Sequence, residues 1–265
     1  MISATSALEA YLLQNDLADT SIEYYRKSVQ VFCRWCKESD CAEFSAESVS
    51  RFLLAKQEAG RSSHYRASLR NALRALLRSV GCTDKLRQVR LVSLTPAAWT
   101  PQEIARLIAA CDHMPEASQA YWQTLIAAAW HTGLSQADLH RVRLDDFAAD
   151  GTLEIARRKT GRVAFVAVPR EILATVRPNL DGRCWPLLTS REWFRRTFAK
   201  VVKRAGLFGT FPKIRKSSGT YAELLNPGRG HEHLANSRKV FESHYLARRH
   251  VAGKPLGPPP IPRAG

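Results

Sequence analysis

Apolar residues recur at helical spacing along almost the whole of this 265-residue chain, and strand-like alternation occurs at one place only. In the first ninety residues four helices are expected. Ser6 to Asn15 forms one. Thr20 caps a second, with Glu23 three residues later completing a capping box, and Tyr24, Tyr25, Val29, Phe32 and Trp35 give it a broad apolar stripe. Ser45 opens a third, carrying Val49, Phe52 and Leu53 and ended by Gly60. The fourth runs from about Ser63 to Val80 and stops at Gly81, with Leu69, Leu73, Leu76 and Leu77 on its core face.

Residues 85–99 read as extended and linker-like around Pro96, and Thr100-Pro101-Gln102-Glu103 then starts a new helix with cap, first-turn proline and capping-box glutamate. A long apolar helical segment follows through YWQTLIAAAWHTGL, and residues 138–147 are expected to continue as a helix and its exit. The β signal is Leu153, Ile155, Val163, Phe165, Val166 and Val168 around the turn Lys159–Arg162, with Gly161 in the turn. Helix returns from Arg170. The predicted class is mainly α with a small antiparallel sheet. The predicted organisation is a helical domain over 1–90, a linker over 91–99, a second domain over 100–250 and a Pro/Gly-rich tail over 251–265.

Charge narrows the function. The net charge is +16, and it is lopsided. Residues 1–150 hold 17 basic and 17 acidic side chains, whereas 151–265 hold 23 and 7. A basic excess confined to one region is the electrostatic footprint of a polyanion, usually a nucleic acid. Within the fourth helix, Arg66, Arg70, Arg74 and Arg78 recur every four residues. Such a like-charged row calls for a phosphate backbone outside it or for carboxylates from a neighbouring helix.

No run of about 20 apolar residues is present, so no membrane span is expected, and the N-terminus lacks the pattern of a secretory signal. A cytoplasmic, nucleoid-associated location follows as the expectation. The six cysteines are then read as reduced thiols. Cys33-x-x-Cys36 lies in a helical pattern and no second Cys or His pair follows at zinc-finger spacing, so no metal is expected.

Four segments, in order, resemble the signature boxes of the tyrosine recombinases, the phage-integrase family: HTGLSQADLHRVRLDDF (131–147), ARRKTGRVAFVAVP (156–169), FPKIRKSSGTYAELL (211–225) and LANSRKVFESHYL (234–246). The resemblance implies a four-helix, SAM-like core-binding domain ahead of a catalytic domain, the two closing as a clamp on duplex DNA. It implies a tyrosine that attacks a DNA phosphodiester, giving a 3′-phosphotyrosyl link and a free 5′-hydroxyl, with neither metal nor nucleotide cofactor. Double-stranded DNA is the implied partner, and a tetramer on two duplexes the implied assembly if the protein is active.

Residue by residue, the resemblance puts Tyr245 at the nucleophile, Arg215 at the second arginine and Lys159 at the hairpin lysine that protonates the leaving oxygen. Asp138 matches an acidic residue three positions after the first arginine. Three positions depart from the pattern. Ser135 stands where the first arginine belongs, Pro212 where a histidine belongs and Asn236 where a His or Trp belongs. An amide at 236 can still donate to a phosphate oxygen, but Pro212 can donate nothing and a serine hydroxyl cannot replace a guanidinium. Arg141, Arg143, His231 and His233 are the nearby groups in sequence that could compensate, and Arg66, Arg70, Arg74, Arg78, Arg157, Arg158, Arg162, Lys213 and Lys216 are expected DNA contacts. Two readings follow: a recombinase or integrase of a mobile element, or a non-catalytic relative that keeps the DNA clamp as an accessory, regulatory or architectural factor. A generic basic or RNA-binding protein is the third.

Overall fold

A computed structural model describes residues 3–39, 41, 43–92 and 97–247. The chain packs as two compact units, Met1–Leu94 and Thr95–Gly265. Part of the expected linker (93–96) and the Pro/Gly-rich tail lie outside the described residues. Among those described, no helix is long and apolar enough to cross a membrane.

The first unit holds α1 (Ala4–Gln14), α2 (Asp19–Glu38), α3 (Ala46–Glu58) and α4 (Ser63–Ser79). Ser3, Ser45 and Ser62 cap α1, α3 and α4 by accepting a backbone N–H, which satisfies a donor the helix leaves without a partner. The capping box expected at Thr20 does not form. Helix α2 begins at Asp19, so Thr20 is already inside the first turn, and Glu23 reaches Lys27 at 2.7 Å. The apolar stripe of α2 is also narrower than expected, because Tyr24 sits at its exposed edge and donates its hydroxyl to the Ser68 carbonyl of α4. Phe32 packs edge to face on Phe44 and Phe52, and Trp35 lies tilted against Phe32 and Phe52, with ring centroids 5.3–5.9 Å apart, in one core with the buried leucines of α4.

The second unit comprises α5 (Pro101–Ala109), α6 (Glu116–Thr132), α7 (Gln136–Leu139), a hairpin of β1 (Thr152–Ala156) and β2 (Val163–Ala167), α8 (Arg170–Leu173), α9 (Arg191–Arg204), α10 (Pro212–Leu225), α11 (Gly230–His233) and α12 (Arg238–His244). The Thr100–Glu103 capping box is formed in both directions. The core centres on Trp122 of α6, which meets Phe194 and Phe198 of α9 at 4.7 and 6.0 Å. Two stretches differ from expectation. Residues 138–147 are one turn of α7 and a 3₁₀ turn at Leu144–Asp146, because Arg143 leaves the helix to bridge Arg183. Residues 230–233, which look irregular in sequence, are a helical turn.

The hairpin pairs Thr152 with Ala167 through Ala156 with Val163, and its loop spans 157–162 with Gly161 at φ +65°. Its buried face is Leu153, Ala164 and Val166, while Val163 and Phe165 face outward, Phe165 being 72% exposed. Strand alternation explains this split.

Trp122→Ala removes a fully buried ring from the second unit and should cost about 3–5 kcal/mol, read as a lower denaturation midpoint. Phe165→Ala, on the solvent face, should stay within about 0.5 kcal/mol of the parent.

Candidate active site

Four segments of the second unit converge on one buried cluster: the turn from α6 into α7, the hairpin loop, α10, and the turn between α11 and α12. The cluster is built on two left-handed backbone turns. Gly133 ends α6 at φ +58°, and a Cβ there would lie 2.5 Å from the Leu234 side chain, so only glycine fits without rearrangement. Ala235 takes φ +45°, with Asn236 N bonded to the His231 carbonyl at 2.9 Å. These turns aim the carbonyls of Gly133, Leu234 and Ala235 inward.

Arg215, from α10, is 6% exposed and reads both turns. Its Nη1 donates to the Gly133 carbonyl and its Nη2 to the Leu234 carbonyl at 2.8 Å, while its Nε has no partner. Its guanidinium carbon lies 5.2 Å from the centroid of the Tyr245 ring, just past the end of α12. The Thr220 hydroxyl of α10 holds the Tyr245 carbonyl at 3.0 Å and accepts the Ala247 N–H at 3.1 Å, which fixes the backbone on either side of the phenol.

A second buried arginine enters from the hairpin. Arg157 is also 6% exposed, and its Nη1 donates to the Leu234 carbonyl (3.0 Å), the Ala235 carbonyl (3.4 Å) and Asn236 Oδ1 (2.9 Å). Its Nε makes no hydrogen bond and faces Asp138 Oδ2 at 3.7 Å. Asp138, 2% exposed, accepts the Ser135 hydroxyl at 2.6 Å and the Arg158 N–H at 2.9 Å. Ser135 in turn caps α7. Two guanidinium groups thus share one carbonyl oxygen, and one of them faces a buried carboxylate.

The electrostatics follow from that crowding. Burial, then the charge of Arg157, lowers the pKa of Arg215. For Tyr245 burial opposes ionisation, but the hydrogen-bonding and charge of Arg215, the charge of Arg157 and the Asn236 amide together outweigh it, so the phenol lies below its ordinary pKa of about 10. Asn236 acts in that direction although its Nδ2 completes no hydrogen bond in this arrangement. His233, held to Ser218 Oγ at 2.7 Å, is pushed down to about 4 by burial and by Arg215 and His131. It is therefore neutral near pH 7 and supplies no cation.

The other expected site residues fall elsewhere. Lys159, Arg158 and Arg162 are exposed on the hairpin loop. Pro212 is exposed at the first turn of α10, where its missing N–H costs nothing. Lys213 is occupied, its Nζ 4.7 Å from the Trp99 ring and 3.3 Å from the Phe208 carbonyl, and Lys216 is half-buried. Arg141 and Arg143 point to solvent, Arg143 pairing with Asp145 at 3.1 Å, so neither fills the space beside Ser135.

In the first unit, Arg66 donates to Gln57 Oε1 and the Arg61 carbonyl, and Arg70 to the Arg87 carbonyl. Arg74 and Arg78 border a shallow groove with Tyr11, Asn15 and Asn71. No carboxylate among the described residues pairs with any of the four arginines, so their row keeps its charge. Among the described residues no cluster of three or more His, Cys, Asp or Glu is placed to hold a metal ion.

No family model matches the chain, and no curated protein does. Solved structures do. A lambda integrase dimer bound to a COC′ core site superposes with a TM-score of 0.71 at 17% identity, covering 98% of this chain and 81% of that one. XerH site-specific recombinase in a pre-cleavage complex with difH gives 0.67 at 14% identity, over 96% and 82%. The Tn1549 transposon integrase with a circular-intermediate DNA gives 0.65 at 12% identity, over 93% and 95%. The fold is that of the tyrosine recombinases. At these identities the shared property is the architecture, and what each side chain does follows from the geometry above.

Within the tyrosine recombinase fold, this cluster offers an acidified phenol, two fixed guanidiniums and an excess of buried positive charge, an arrangement suited to a tetrahedral oxyanion. The tyrosinate absorbance difference between the parent and Tyr245→Phe should therefore titrate below pH 10, and Arg215→Gln should move it upward.

Proposed function

We propose that the protein belongs to the tyrosine recombinase family, binds double-stranded DNA, and breaks and rejoins strands site-specifically through Tyr245. The observation that carries this reading is the Arg215 guanidinium set against the Tyr245 ring at 5.2 Å, with the phenol acidified by it. In the cleavage step Tyr245 Oη attacks phosphorus and the P–O5′ bond breaks. The phenol proton leaves to solvent and the 5′ oxygen gains one, so a 3′-phosphotyrosine and a 5′-hydroxyl result. Rejoining is the reverse. Arg215 holds the charge that grows on the non-bridging oxygens. Lys159 is the proposed donor to the 5′ oxygen, and from its exposed position it would act once the hairpin loop lies against DNA.

Arg74, Arg78, Arg158, Arg162 and Lys216 are the proposed backbone contacts, and a tetramer on two duplexes the proposed assembly. One of the similar structures is a lambda integrase tetramer bound to a Holliday junction. A second reading, a non-catalytic DNA-binding relative, is favoured by Ser135 and Pro212, which replace two transition-state donors.

Isolating the protein from its host under denaturing conditions decides between them. Covalently attached DNA is expected in the parent and absent in Tyr245→Phe, with Arg215→Gln reduced by roughly 10²–10³-fold. DNA binding without any adduct would favour the second reading. Both readings require affinity to fall steeply with salt, by about 10³ or more between 50 and 200 mM if six or more phosphates are contacted, and a constant affinity would remove both.

A further inference from the structure

Beside Tyr245 the charge does not balance. Arg157 and Arg215 are each 6% exposed; Arg157 faces the buried carboxylate of Asp138, Arg215 is bonded only to backbone carbonyls, and among the described residues no other acidic group is bonded to either. Each guanidinium keeps a fully buried Nε that makes no hydrogen bond, that of Arg157 lying 3.7 Å from Asp138 Oδ2. Both converge on the Leu234 carbonyl, so their charged heads are held side by side by a single atom. Like charges are brought this close where an anion is to be shared between them, because an anion converts their repulsion into joint attraction. The charge of Arg157 already acts on both Arg215 and Tyr245.

We propose that Arg157, delivered from the hairpin, is the second phosphate-binding arginine of this site and occupies the role that Ser135 leaves open. The geometry supports that assignment at both ends of the side chain. The Ser135 hydroxyl is bonded to the same Asp138 oxygen that faces Arg157 Nε, so the guanidinium lies one carboxylate away from position 135. At its other end Nη1 reaches Asn236, placing the arginine between Asp138 and the side chain nine residues before the tyrosine. A serine at 135 fits such an arrangement. It binds the carboxylate without adding a third cation. The ligand class is a phosphodiester or another tetrahedral oxyanion, gripped by Arg157 and Arg215 together. This inference rests on the strand-breaking reading for its biological meaning, but the anion site itself does not.

Two measurements separate them. The first is the thermal midpoint in inorganic phosphate against chloride at matched ionic strength. Phosphate should stabilise the parent and Lys200→Gln, an exposed-lysine control, and the gain should vanish in Arg157→Gln and Arg215→Gln. The second is adduct formation, which should slow by about 10²-fold or more in Arg157→Gln and recover in Ser135→Arg/Arg157→Gln, where the cation is returned from the other side of Asp138. A folded Arg157→Gln protein that keeps its phosphate response, or forms adduct at the parent rate, overturns the assignment. If Arg157→Gln does not fold, the double variant decides: restored folding with restored phosphate response supports the role, and restored folding without it removes the role. A phosphate response that depends on Arg157 in a parent that forms no adduct would leave the anion site standing and remove strand breaking instead.

Discussion

Burying a guanidinium is costly unless its donors find oxygens, and the second unit buries those of Arg157 and Arg215, with a carboxylate beside Arg157 alone. The oxygens come from the backbone. Gly133 and the turn through Ala235 turn their carbonyls inward, and that requires left-handed conformations at both places. The first is available because position 133 has no Cβ to strike Leu234. The second is held by the hydrogen bond from Asn236 N to the His231 carbonyl. Helix α10 can approach this turn because Gly219 is bare where a Cβ would come within 2.6 Å of Leu234. The placement of Arg215 against Tyr245 thus depends on packing between α6, α10 and the α11–α12 turn, and the acidity of the phenol depends on it in turn.

The architecture was largely legible in the sequence because it is written locally. Cap residues such as Thr100 with Glu103, stop glycines at 60 and 81, and leucines at helical spacing in α4 each specify their element without reference to anything distant. The site was legible in its outline, and less so in its wiring. Arg157 reads as one of several basic residues in a hairpin, alongside Arg158 and Arg162. The distinguishing signal is the period of two: Leu153 and Arg157 share the inward face of β1 and its extension, while Glu154, Ala156 and Arg158 alternate outward. The fates of Arg66 and Arg70 could not be read in the same way. Their partners, Gln57 and the Arg87 carbonyl, are brought close only by the packing of the helical unit.

A hairpin-borne arginine differs physically from a helix-borne one. Position 135 caps a helix whose start is fixed by Gly133, so a side chain there inherits the rigidity of α6 and α7. Arg157 sits where the ladder ends, and its place is fixed by its own contacts: Asp138 at Nε, Asn236 and two carbonyls at Nη1, and the Arg158 N–H on Asp138 beside it. The base of the loop is therefore anchored while Lys159, two residues on, remains exposed. One loop combines a fixed cation at its root with an unfixed one near its tip.

That division bears on what repairing position 135 would do. Asp138 already compensates Arg157 and accepts Ser135 and the Arg158 amide. An arginine introduced at 135 with Arg157 still present would place a third buried cation against the same carboxylate and remove the hydroxyl that now caps α7. Repulsion among the three would be relieved only by displacing one of them. The two arginine positions are alternatives competing for one carboxylate, so the effects of changes at 135 and 157 must be non-additive, and the direction of either change is set by which residue occupies the other.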